Sequence, residues 1–431
     1  MTVPSVRLNL NGLYEVGENC VRVTGPLEAY SADGCVVAGD LSATSLSFRP
    51  LDSSCTADVE DVTIGVNFHW ERKERQTFAG TITLKAVDGM VLLINEIDVE
   101  EYLRSVISSE MSATSSAPLL RAHAVISRSW LLAQIYRDLR HDGVADSDAD
   151  SAVDSPDCLI KWYDHDDHTL FDVCADDHCQ RYQGVSRITS SEVDAAIAET
   201  RGLVLMENDR ICDARFSKCC GGVMEEFQNC WEPRRHSYLV ARRDVAVDPS
   251  CVPDLRVERN AVEWITSRPD AFCDTTDPAV LSQVLNNYDQ ETTDFYRWTV
   301  SYRADELGRL IASRSGIDFG DILDLTPLSR GTSGRITRLR ITGTLKSMIV
   351  GKELEIRRWL SATHLYSSAF VVEKEEGDSV ESARFILRGA GWGHGVGLCQ
   401  IGAAVMGAQG YGYAEILAHY FPASNLQKLY H

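Results

Sequence analysis

Hydrophobic and polar residues alternate along the first part of the chain, and this pattern predicts a β-rich region over residues 1–96. Residues 6–10 form one such alternating segment. Two longer alternating runs are separated by Asp88 and Gly89. This dipeptide favours a tight hairpin turn, because glycine adopts a positive φ without steric cost.

The period of the pattern then changes and predicts two helices. In the first helix one face collects the apolar side chains, namely Val99, Tyr102, Leu103, Val106 and Ile107. Asp98 is suited to the N-cap of this helix, and the acidic residues after it favour the positive end of the helix dipole. The second helix is predicted to begin at Pro118, because proline is well tolerated in a first turn.

The rest of the chain carries weaker signals. Residues 143–157 are acidic and rich in turn formers, which predicts a surface loop. The remaining patterns predict strands and turns over 200–240, strands at 335–341 and 385–387, and a C-terminal helix near Tyr413–Tyr420.

Composition narrows the classes of partner. The chain has 431 residues and a formal net charge of -21. This acidic balance argues against nucleic acid and against a polybasic membrane anchor, and it leaves neutral glycans, peptides and small molecules. No apolar run approaches the ~20 residues of a membrane helix. The N-terminus lacks the layout of a secretory signal, so we expect either that a targeting segment was removed or that another route is used.

The densest chemical signal is a glycine-rich segment at residues 389–403. Five glycines alternate from Gly389 to Gly397, and Trp392 and His394 lie among them. Glycine in regular structure has an entropic cost and packs no side chain. We therefore predict a backbone that approaches something closely, and the alternative is a glycine-rich turn before a helix.

Two further features are candidates for chemistry. Glu110 follows the apolar stripe of the first predicted helix and lies at its end. A carboxylate there faces the negative end of the helix dipole, which disfavours the charged form and suits a general acid. The alternative is a solvated surface glutamate. Gly221 and Gly222 either bring backbone amides close to a ligand or form a tight turn.

The 13 cysteines are an odd number, which excludes complete intramolecular pairing. We expect some of these thiols to be small buried hydrophobic groups. Four soft or borderline metal ligands occur within twelve residues, and they are His168, Cys174, His178 and Cys179. Zinc prefers tetrahedral Cys and His donors, so this cluster is a candidate zinc site with His165 as a spare ligand. A Cys174–Cys179 disulfide and a surface loop with unrelated thiols are the alternatives.

Taken together, these segments resemble the SpoIID/LytB family, which comprises stage II sporulation protein D and the amidase enhancers. Residues 95–111 are similar to the family's N-x-x-x-x-E-x-Y-L-x-x-V-x-x-x-E-M signature, and residues 120–129 are similar to its following L-x-A-Q-A-V-A-A-R-T helix. The other matching features are Gly221 and Gly222 with Tyr238, Leu239 and Asp244, then residues 333–335, and residues 389–403 followed by 410–420. The likeness covers most of the chain in the family's order.

The resemblance implies a protein of the cell envelope, periplasmic or extracytoplasmic, that acts on peptidoglycan. Catalytic members are lytic transglycosylases. They cut the β-1,4 bond between N-acetylmuramic acid and N-acetylglucosamine in strands without stem peptides, and leave 1,6-anhydro ends. The residue that matches their single acid and base is Glu110. The alternative is a non-catalytic wall-binding module that enhances an N-acetylmuramoyl-L-alanine amidase, and a cysteine enzyme using Cys219 or Cys220 is a third hypothesis.

The resemblance also implies roles for other residues. Arg128 either orients Glu110 or a sugar N-acetyl group, or forms a structural salt bridge. Trp392 either stacks on a sugar ring or packs in the core. His394 and Gln400 are expected to hydrogen-bond sugar hydroxyls, and the alternative for His394 is a buried imidazole whose hydrogen bonds are satisfied within the protein. Some members are similar to zinc proteins through a Cys and His loop, which maps onto the cluster described above, and no organic cofactor is implied.

The chain departs from the family pattern at three places. Lys218, Cys219 and Cys220 stand before Gly221 and Gly222, where the family often has hydroxyl residues. If those hydroxyl residues contact the substrate in the family, the detailed glycan specificity of this chain is expected to differ. The helix glutamine of the family is His123 here, and Cys399 stands where serine is common.

We therefore predict an α+β protein with a β-rich core, a catalytic helix pair and a second, smaller α/β lobe. Residues 1–245 would hold the β-rich region, the catalytic helices and the zinc loop, and residues 246–384 the second lobe. Residues 385–431 would complete the catalytic core. We expect Glu110 to share a groove with the glycine-rich segment.

Overall fold

The computed structural model describes residues 2–17, 20–65, 71–112, 115–136, 139–140, 142–163, 168–176, 178–188, 190–247, 253–284 and 293–431. The chain folds as two compact units. The first comprises Met1–Ala113 and His165–Arg201, and the second comprises Thr114–Asp164 and Gly202–His431. The boundaries that we predict at residues 245 and 384 stay a prediction.

The helices are distributed over both units. They are α1 (Val99–Glu110), α2 (Ala117–Ile135), α3 (Ser191–Glu199), α4 (Glu258–Thr266), α5 (Pro278–Val284), α6 (Ala304–Ser315), α7 (Glu353–Trp359), α8 (Gln400–Ala408) and α9 (Tyr413–Tyr420). No helix among the described residues has both the length and the apolarity that a membrane span requires.

The strands of the first unit form one antiparallel sheet. They are β1 (Thr2–Val3), β2 (Ser5–Val16), β3 (Val21–Ala32), β4 (Cys35–Ala38), β5 (Leu41–Ala43), β6 (Ser45–Pro50), β7 (Thr56–Ile64), β8 (Arg72–Phe78), β9 (Thr81–Val87) and β10 (Met90–Glu96). The order is β1-β10-β9-β6-β2-β3-β4-β5, and β7 pairs with both β2 and β8. Val6, Leu8 and Leu10 are buried, as the alternation of polar and apolar residues predicts.

The hairpin between β9 and β10 turns where the sequence predicts. Asp88 and Gly89 have φ values of 50° and 76°. Positive φ at both central residues defines the turn type whose twist matches the flanking strands. Met90 therefore pairs with Val87, and the register continues to Glu96 opposite Thr81.

Helices α1 and α3 pack together in the first unit. Asp98 is the N-cap of α1, and its carboxylate accepts a hydrogen bond from the Glu100 amide. Arg104 bridges the two helices through an ion pair of 2.7 Å with Asp194. The apolar face of α1 is buried, and Tyr102 stacks on Tyr182 at 5.0 Å between ring centroids.

The second unit contains several small sheets. Its strands are β11 (Val144–Ala145), β12 (Val153–Ser155), β13 (Cys158–Ile160), β14 (Leu203–Glu207), β15 (Arg210–Ile211), β16 (Phe216–Ser217), β17 (Arg234–Arg235), β18 (Arg297–Arg303), β19 (Ile322–Arg330), β20 (Ile336–Gly343), β21 (Ser347–Gly351), β22 (Phe370–Glu375), β23 (Arg384–Ala390), β24 (Leu398–Cys399) and β25 (Asn425–Lys428). The larger sheets have the orders β12-β13-β21-β20-β19, β15-β14-β25 and β18-β23-β22. With the β-rich first unit, they confirm the predicted α+β class.

Two hydrophobic clusters support the second unit. In the larger one, α6 and α7 pack against β19, β20 and β23 through fully buried side chains such as Leu307, Ile356 and Leu339. In the smaller one, α4 lays Trp264 and Ile265 against Val371 of β22 and Ala390 of β23. Since β23 leads directly into the glycine-rich segment, this packing fixes where that segment begins.

The acidic stretch at residues 143–157 differs from the predicted surface loop. It contains β11, which pairs with β17, and β12, which pairs with β13. Two of its acidic residues bind arginines distant in sequence, because Asp146 pairs with Arg235 at 2.6 Å and Asp150 with Arg338 at 2.9 Å. Its negative charge is therefore partly neutralised by the fold.

Candidate functional site

The glycine-rich segment continues from β23 as an extended chain in which every second residue has a positive φ. The φ values of Gly391, Gly393, Gly395 and Gly397 are 76°, 91°, 75° and 72°. A side chain at any of these positions would be strained, because L-residues rarely adopt this region. The strict alternation of glycines in the sequence is thus a requirement of the backbone conformation.

The predicted close approach is made to the protein's own chain at residues 215–221. A Cβ atom on Gly391 would lie 2.7 Å from the carbonyl oxygen of Cys219, and one on Gly397 would overlap the carbonyl oxygen of Arg215. The two segments are also joined by backbone hydrogen bonds of 3.0 and 2.8 Å between Cys219 and Trp392. The glycines therefore allow two backbones to lie side by side.

Gly221 and Gly222 belong to the same junction. Both are buried and have φ values of 81° and 103°. A Cβ atom on Gly221 would meet the backbone of Gly391 at 3.0 Å, and one on Gly222 would meet the Tyr296 hydroxyl at 2.8 Å. The structure brings this glycine pair to the glycine-rich segment, and contact of the pair with substrate stays a prediction.

Arg335 fixes the backbone of this junction from inside. Its guanidinium donates to the carbonyl oxygens of Gly393 and Cys220, at 3.0 and 3.2 Å, and to the hydroxyl of Ser333 at 2.9 Å. Ser333 in turn donates to the buried carboxylate of Glu225. A buried arginine with several acceptors holds backbone in place more rigidly than a single hydrogen bond does.

Trp392 is half-buried between aromatic rings. It stacks on Phe295 at 4.8 Å with an interplanar angle of 11°, and it meets Tyr366 edge-on at 5.1 Å. The ring packs on its neighbours and still exposes part of its surface. Core packing and stacking on a sugar ring are therefore both compatible with this position.

His394 is partly buried beside Trp231, whose ring lies 4.8 Å away edge-on. The amide of Val396 donates to His394 Nδ1 at 3.0 Å. Burial and neighbouring positive charges hold the pKa of His394 well below its usual value, and those charges are on Arg215, Arg335 and Arg357. The imidazole is therefore neutral, and its Nδ1 is already engaged by the protein.

Gln400, the first residue of α8, is buried and pairs with His123 of α2. The Gln400 amide nitrogen lies 3.1 Å from His123 Nε2, and Ser127 Oγ lies 3.1 Å from His123 Nδ1. Burial, with a smaller effect of Lys218, lowers the pKa of His123 to about 3. The histidine that replaces the family's glutamine is thus a neutral link between two helices.

Arg128 is fully buried in α2. Its guanidinium donates to the carbonyl oxygen of Leu203 at 3.0 Å and to that of Ala124 at 3.4 Å. These contacts connect α2 to β14, and they give Arg128 a structural task in the second unit. Its predicted contact with substrate stays a prediction.

Cys219 and Cys220 are buried thiols next to the glycine pair. Burial raises the pKa of both thiols well above the usual value. A cysteine nucleophile needs a lowered pKa and access to substrate. The structure therefore argues against the cysteine-enzyme hypothesis.

Glu110 is the last residue of α1 in the first unit, and it is 8% exposed. The helix ends there because Met111 is extended, with φ -115° and ψ 151°, while its amide still donates to the Ile107 carbonyl. In α1, which the structure describes in full, the last turn contains no basic residue. The carboxylate therefore lies at the negative end of the helix dipole without a neutralising residue in that turn.

The Cys and His cluster assembles in the first unit. Its four ligand atoms, from His168, Cys174, His178 and Cys179, lie within 4.8 Å of one another. Cys179 Sγ lies 3.5 Å from His168 Nε2 and 3.6 Å from His178 Nδ1, and Cys174 Sγ lies 4.0 Å from that same Nδ1. A tetrahedral zinc ion has sulfur–nitrogen edges of ~3.6 Å. The geometry fits a four-coordinate metal, and His165 lies outside the described residues.

The chemistry of this cluster also suits a metal. Both cysteines are free thiols in the structure. The neighbouring Cys179 thiol and His178 lower the pKa of Cys174 to about 3. A low pKa favours the thiolate, which is the form that binds metal ions. The cluster can therefore bind a metal.

The predicted residues thus fall into two groups. Glu110 and the Cys and His cluster belong to the first unit, whereas Arg128, Gly221, Gly222, Trp392, His394 and Gln400 belong to the second. A common groove for Glu110 and the glycine-rich segment stays a prediction. A second cluster of possible ligands could not be predicted from the sequence, because no local spacing connects its residues. They are Cys220, Asp244, Cys273 and Cys399.

Comparisons with known proteins find two family models that match parts of the chain. Residues 87–206, which include all of α1 and α2, match the family model described as "Stage II sporulation protein". Residues 225–397 match a second model, described as "Domain of unknown function (DUF8618)". The first match and the relatives below confirm the resemblance to the SpoIID/LytB family that was found in the sequence.

Three relatives illustrate the similarity. The amidase enhancer of Bacillus subtilis is 24% identical over 264 residues, which cover 57% of this chain and 34% of the relative. An uncharacterised protein of Brachyspira hyodysenteriae is 22% identical over 80% of this chain and 70% of its own length. Stage II sporulation protein D of Bacillus subtilis is 22% identical over 78% of this chain and 76% of its own length. The match to this chain thus spans about a third of the amidase enhancer.

Proposed function

We propose that this protein cleaves the glycan strands of peptidoglycan as a lytic transglycosylase, with Glu110 as its one acid and base. The observation that carries the proposal is the position of Glu110. It is a nearly buried carboxylate at the C-terminal end of α1, inside the segment that matches the stage II sporulation protein model. An enclosed carboxyl group can exchange a proton directly with a bound substrate, which a general acid and base must do.

The proposed reaction needs no second carboxylate and no water. Glu110 donates its proton to the glycosidic oxygen, and the bond from C1 of N-acetylmuramic acid to that oxygen breaks. The C6 hydroxyl of the same sugar attacks C1, and its proton passes to the Glu110 carboxylate. The products are a 1,6-anhydro end and a free 4-hydroxyl, and Glu110 returns to its starting state. Ordinary glycosidases instead pair two carboxylates, because water or a carboxylate must attack.

Binding of the glycan is assigned to the glycine-rich segment. The exposed part of the Trp392 ring offers an apolar surface for a sugar face, and Phe295 holds the ring in position. Denuded strands, which lack stem peptides and carry the free lactyl carboxylate of N-acetylmuramic acid, are the proposed substrate, because the catalytic members of the family that this chain resembles act on such strands.

A structural zinc ion is proposed for the Cys and His cluster. The ligand set would be His168, Cys174, His178 and Cys179, and the ion would fold the loop that precedes Tyr182. Because Tyr182 stacks on Tyr102 of α1, this loop supports the helix that ends at Glu110. The zinc ion has no proposed role in the reaction itself, and no organic cofactor is proposed.

The experiment compares the full-length protein with Glu110→Gln on denuded glycan strands, followed by mass spectrometry of the released fragments. Glutamine keeps the size of the side chain but cannot donate or accept the proton. Glu101→Gln is the matched control, because it removes a carboxylate from the same helix at a half-exposed position. We expect anhydro fragments from the wild type and the control only. Equal rates for Glu110→Gln would exclude the catalytic assignment.

A non-catalytic enhancer of a cell-wall amidase is the second candidate, because one relative is named an amidase enhancer. This function predicts that the wild type binds glycan and releases no anhydro fragment. It also predicts that Glu110→Gln stimulates an N-acetylmuramoyl-L-alanine amidase as well as the wild type does. Both functions place the protein in the cell envelope, and neither involves nucleic acid.

A further inference from the structure

A second set of potential metal ligands lies inside the second unit. Cys220, Asp244, Cys273 and Cys399 are all buried, and their ligand atoms lie within 4.8 Å of one another. The four residues come from separate segments of the chain, with gaps of 24, 29 and 126 residues. Such convergence in a protein core is uncommon for charged or reactive groups unless something holds them together.

The distances fit a small tetrahedral ion. Cys220 Sγ lies 3.5 Å from Cys273 Sγ and 3.5 Å from Asp244 Oδ2. In a tetrahedral zinc site with usual bond lengths, the sulfur–sulfur edge is ~3.8 Å and the sulfur–oxygen edge is ~3.5 Å. The side chains are therefore close to the positions that a metal would require, without a rearrangement of the backbone.

Backbone amides already point at the sulfur atoms. The Cys220 amide donates to Cys399 Sγ at 3.2 Å, and the Gly222 amide donates to Cys220 Sγ at 3.4 Å. Such hydrogen bonds orient thiolate ligands and disperse their charge, and they are the usual outer support of a metal site. A neutral buried thiol does not need them.

The carboxylate of Asp244 is oriented in the same way. It accepts hydrogen bonds from the Tyr420 hydroxyl at 2.8 Å and from the Cys273 amide at 3.1 Å. His419 Nε2 lies 3.4 Å from the same carboxylate, and no lysine or arginine pairs with it among the described residues. A fully buried carboxylate is costly unless a cation or several donors compensate it, and a bound metal ion would supply that cation.

We propose that Cys220, Asp244, Cys273 and Cys399 form a second, buried site for a thiophilic divalent cation, with zinc as the ion that the donor set fits best. Three thiolates and a carboxylate carry four negative charges, and the ion neutralises two. The amide donors and His419 disperse the rest. This inference does not depend on the proposed function, because it concerns other residues in the other unit.

The location suggests what the ion does. Cys220 directly precedes Gly221 and Gly222, and Cys399 directly precedes Gln400 and α8. The ion would therefore connect the segment of residues 215–221 to the glycine-rich segment, through one ligand in each. Its role is to hold the backbones of these two segments together.

The test is the metal content of the full-length protein, purified without chelator and kept reduced. We expect two equivalents of zinc in the wild type and one in Cys273→Ser and in Asp244→Asn. Asparagine keeps an acceptor for Tyr420 but is a poor zinc ligand. Cys212→Ser is the matched control, because Cys212 is a buried thiol of the same unit outside both clusters. It should retain two equivalents.

Cobalt replaces zinc in a second measurement that needs no variant of the buried site. In Cys174→Ser, which disables the site of the first unit, one cobalt ion should still bind with intense thiolate charge-transfer absorption. The intensity per ion should exceed that of the Cys and His site, since three thiolates coordinate rather than two. Metal content unchanged by Cys273→Ser and Asp244→Asn would overturn the proposal. So would the loss of all metal in Cys174→Ser, or a Cys220–Cys273 disulfide in the native protein.

Discussion

Three glycine-to-alanine substitutions, two in the glycine-rich segment and one beyond it, can separate the two reasons why a position in this part of the chain needs glycine. Gly410, which lies after α8 and outside the segment, has a φ of +94° and open space around its missing Cβ. Gly389 has an ordinary φ, but a Cβ there would overlap the ring of Trp298 on the neighbouring strand. Gly397 combines both, because its φ is +72° and a Cβ would overlap the Arg215 carbonyl. Each variant therefore tests a different part of the explanation.

The expected loss in the free energy of unfolding of each variant follows from the environment of its glycine. Gly410→Ala should lose about 1 kcal/mol, since ~1–2 kcal/mol of left-handed strain is partly offset by the lower entropy of the unfolded chain. Gly389→Ala should lose about 1–3 kcal/mol by overpacking, and more if Trp298 gives up its hydrogen bond to Gly391. Gly397→Ala should lose about 3–5 kcal/mol, because strain adds to a clash with backbone that cannot rotate away.

Urea unfolding followed by tryptophan fluorescence measures these differences. Seven of the eight tryptophans belong to the second unit, so the signal reports on the unit that contains all three glycines. The order of destabilisation should be Gly397→Ala, then Gly389→Ala, then Gly410→Ala. If Gly397→Ala lost no more free energy of unfolding than Gly410→Ala, the close approach of the two backbones would be refuted.

The remaining predictions concern the Cys and His cluster of the first unit and the buried His123 of the second unit. Cys174→Ser should release one equivalent of zinc and lower the thermal stability of the first unit, as measured by metal analysis and calorimetry; an unchanged metal content would contradict the zinc site of that unit. The pKa of His123 is about 3 in the folded protein and about 6.5 in the unfolded protein. Between these two values the unfolded state binds more protons than the folded state. The free energy of unfolding therefore falls as the pH drops from about 6.5 towards 3. His123→Gln should remove roughly one proton from the uptake on unfolding in that window, measured by urea unfolding at several pH values; an unchanged pH dependence would show that His123 is not buried and neutral.

Local structure was predictable where neighbouring residues determine it. The N-cap at Asp98, the turn at Asp88 and Gly89, and the start of α2 beside Pro118 all appear as predicted. Each depends on a capping side chain, a positive φ or the missing amide of proline, and all three are properties of adjacent residues. The α+β class followed from the same local signals.

The alternation of glycines predicted that this backbone approaches another group closely, but it did not indicate which part of the protein that group belongs to. The neighbouring segment, residues 215–221, lies about 170 positions earlier in the chain. Likewise, no pattern around His123 indicates that it pairs with Gln400. Such pairings depend on how α2 and α8 pack, which periodicity does not encode.

The two metal-ligand clusters show the same limit. His168, Cys174, His178 and Cys179 are close in sequence, and their spacing was enough to predict a site. Cys220, Asp244, Cys273 and Cys399 are separated by long segments and meet only in the folded second unit. The sequence predicted only that some of the 13 thiols are small buried groups, because spacing is informative only within a short loop.

The proposed transfer of protons by Glu110 is tested most directly by the chemistry of the new ends that form when purified protein is incubated with peptide-free glycan strands. We expect N-acetylmuramic acid in its 1,6-anhydro form at every new end, and no new ends with Glu110→Gln. New ends that are ordinary reducing sugars, or intact strands after incubation with the wild type, would contradict it.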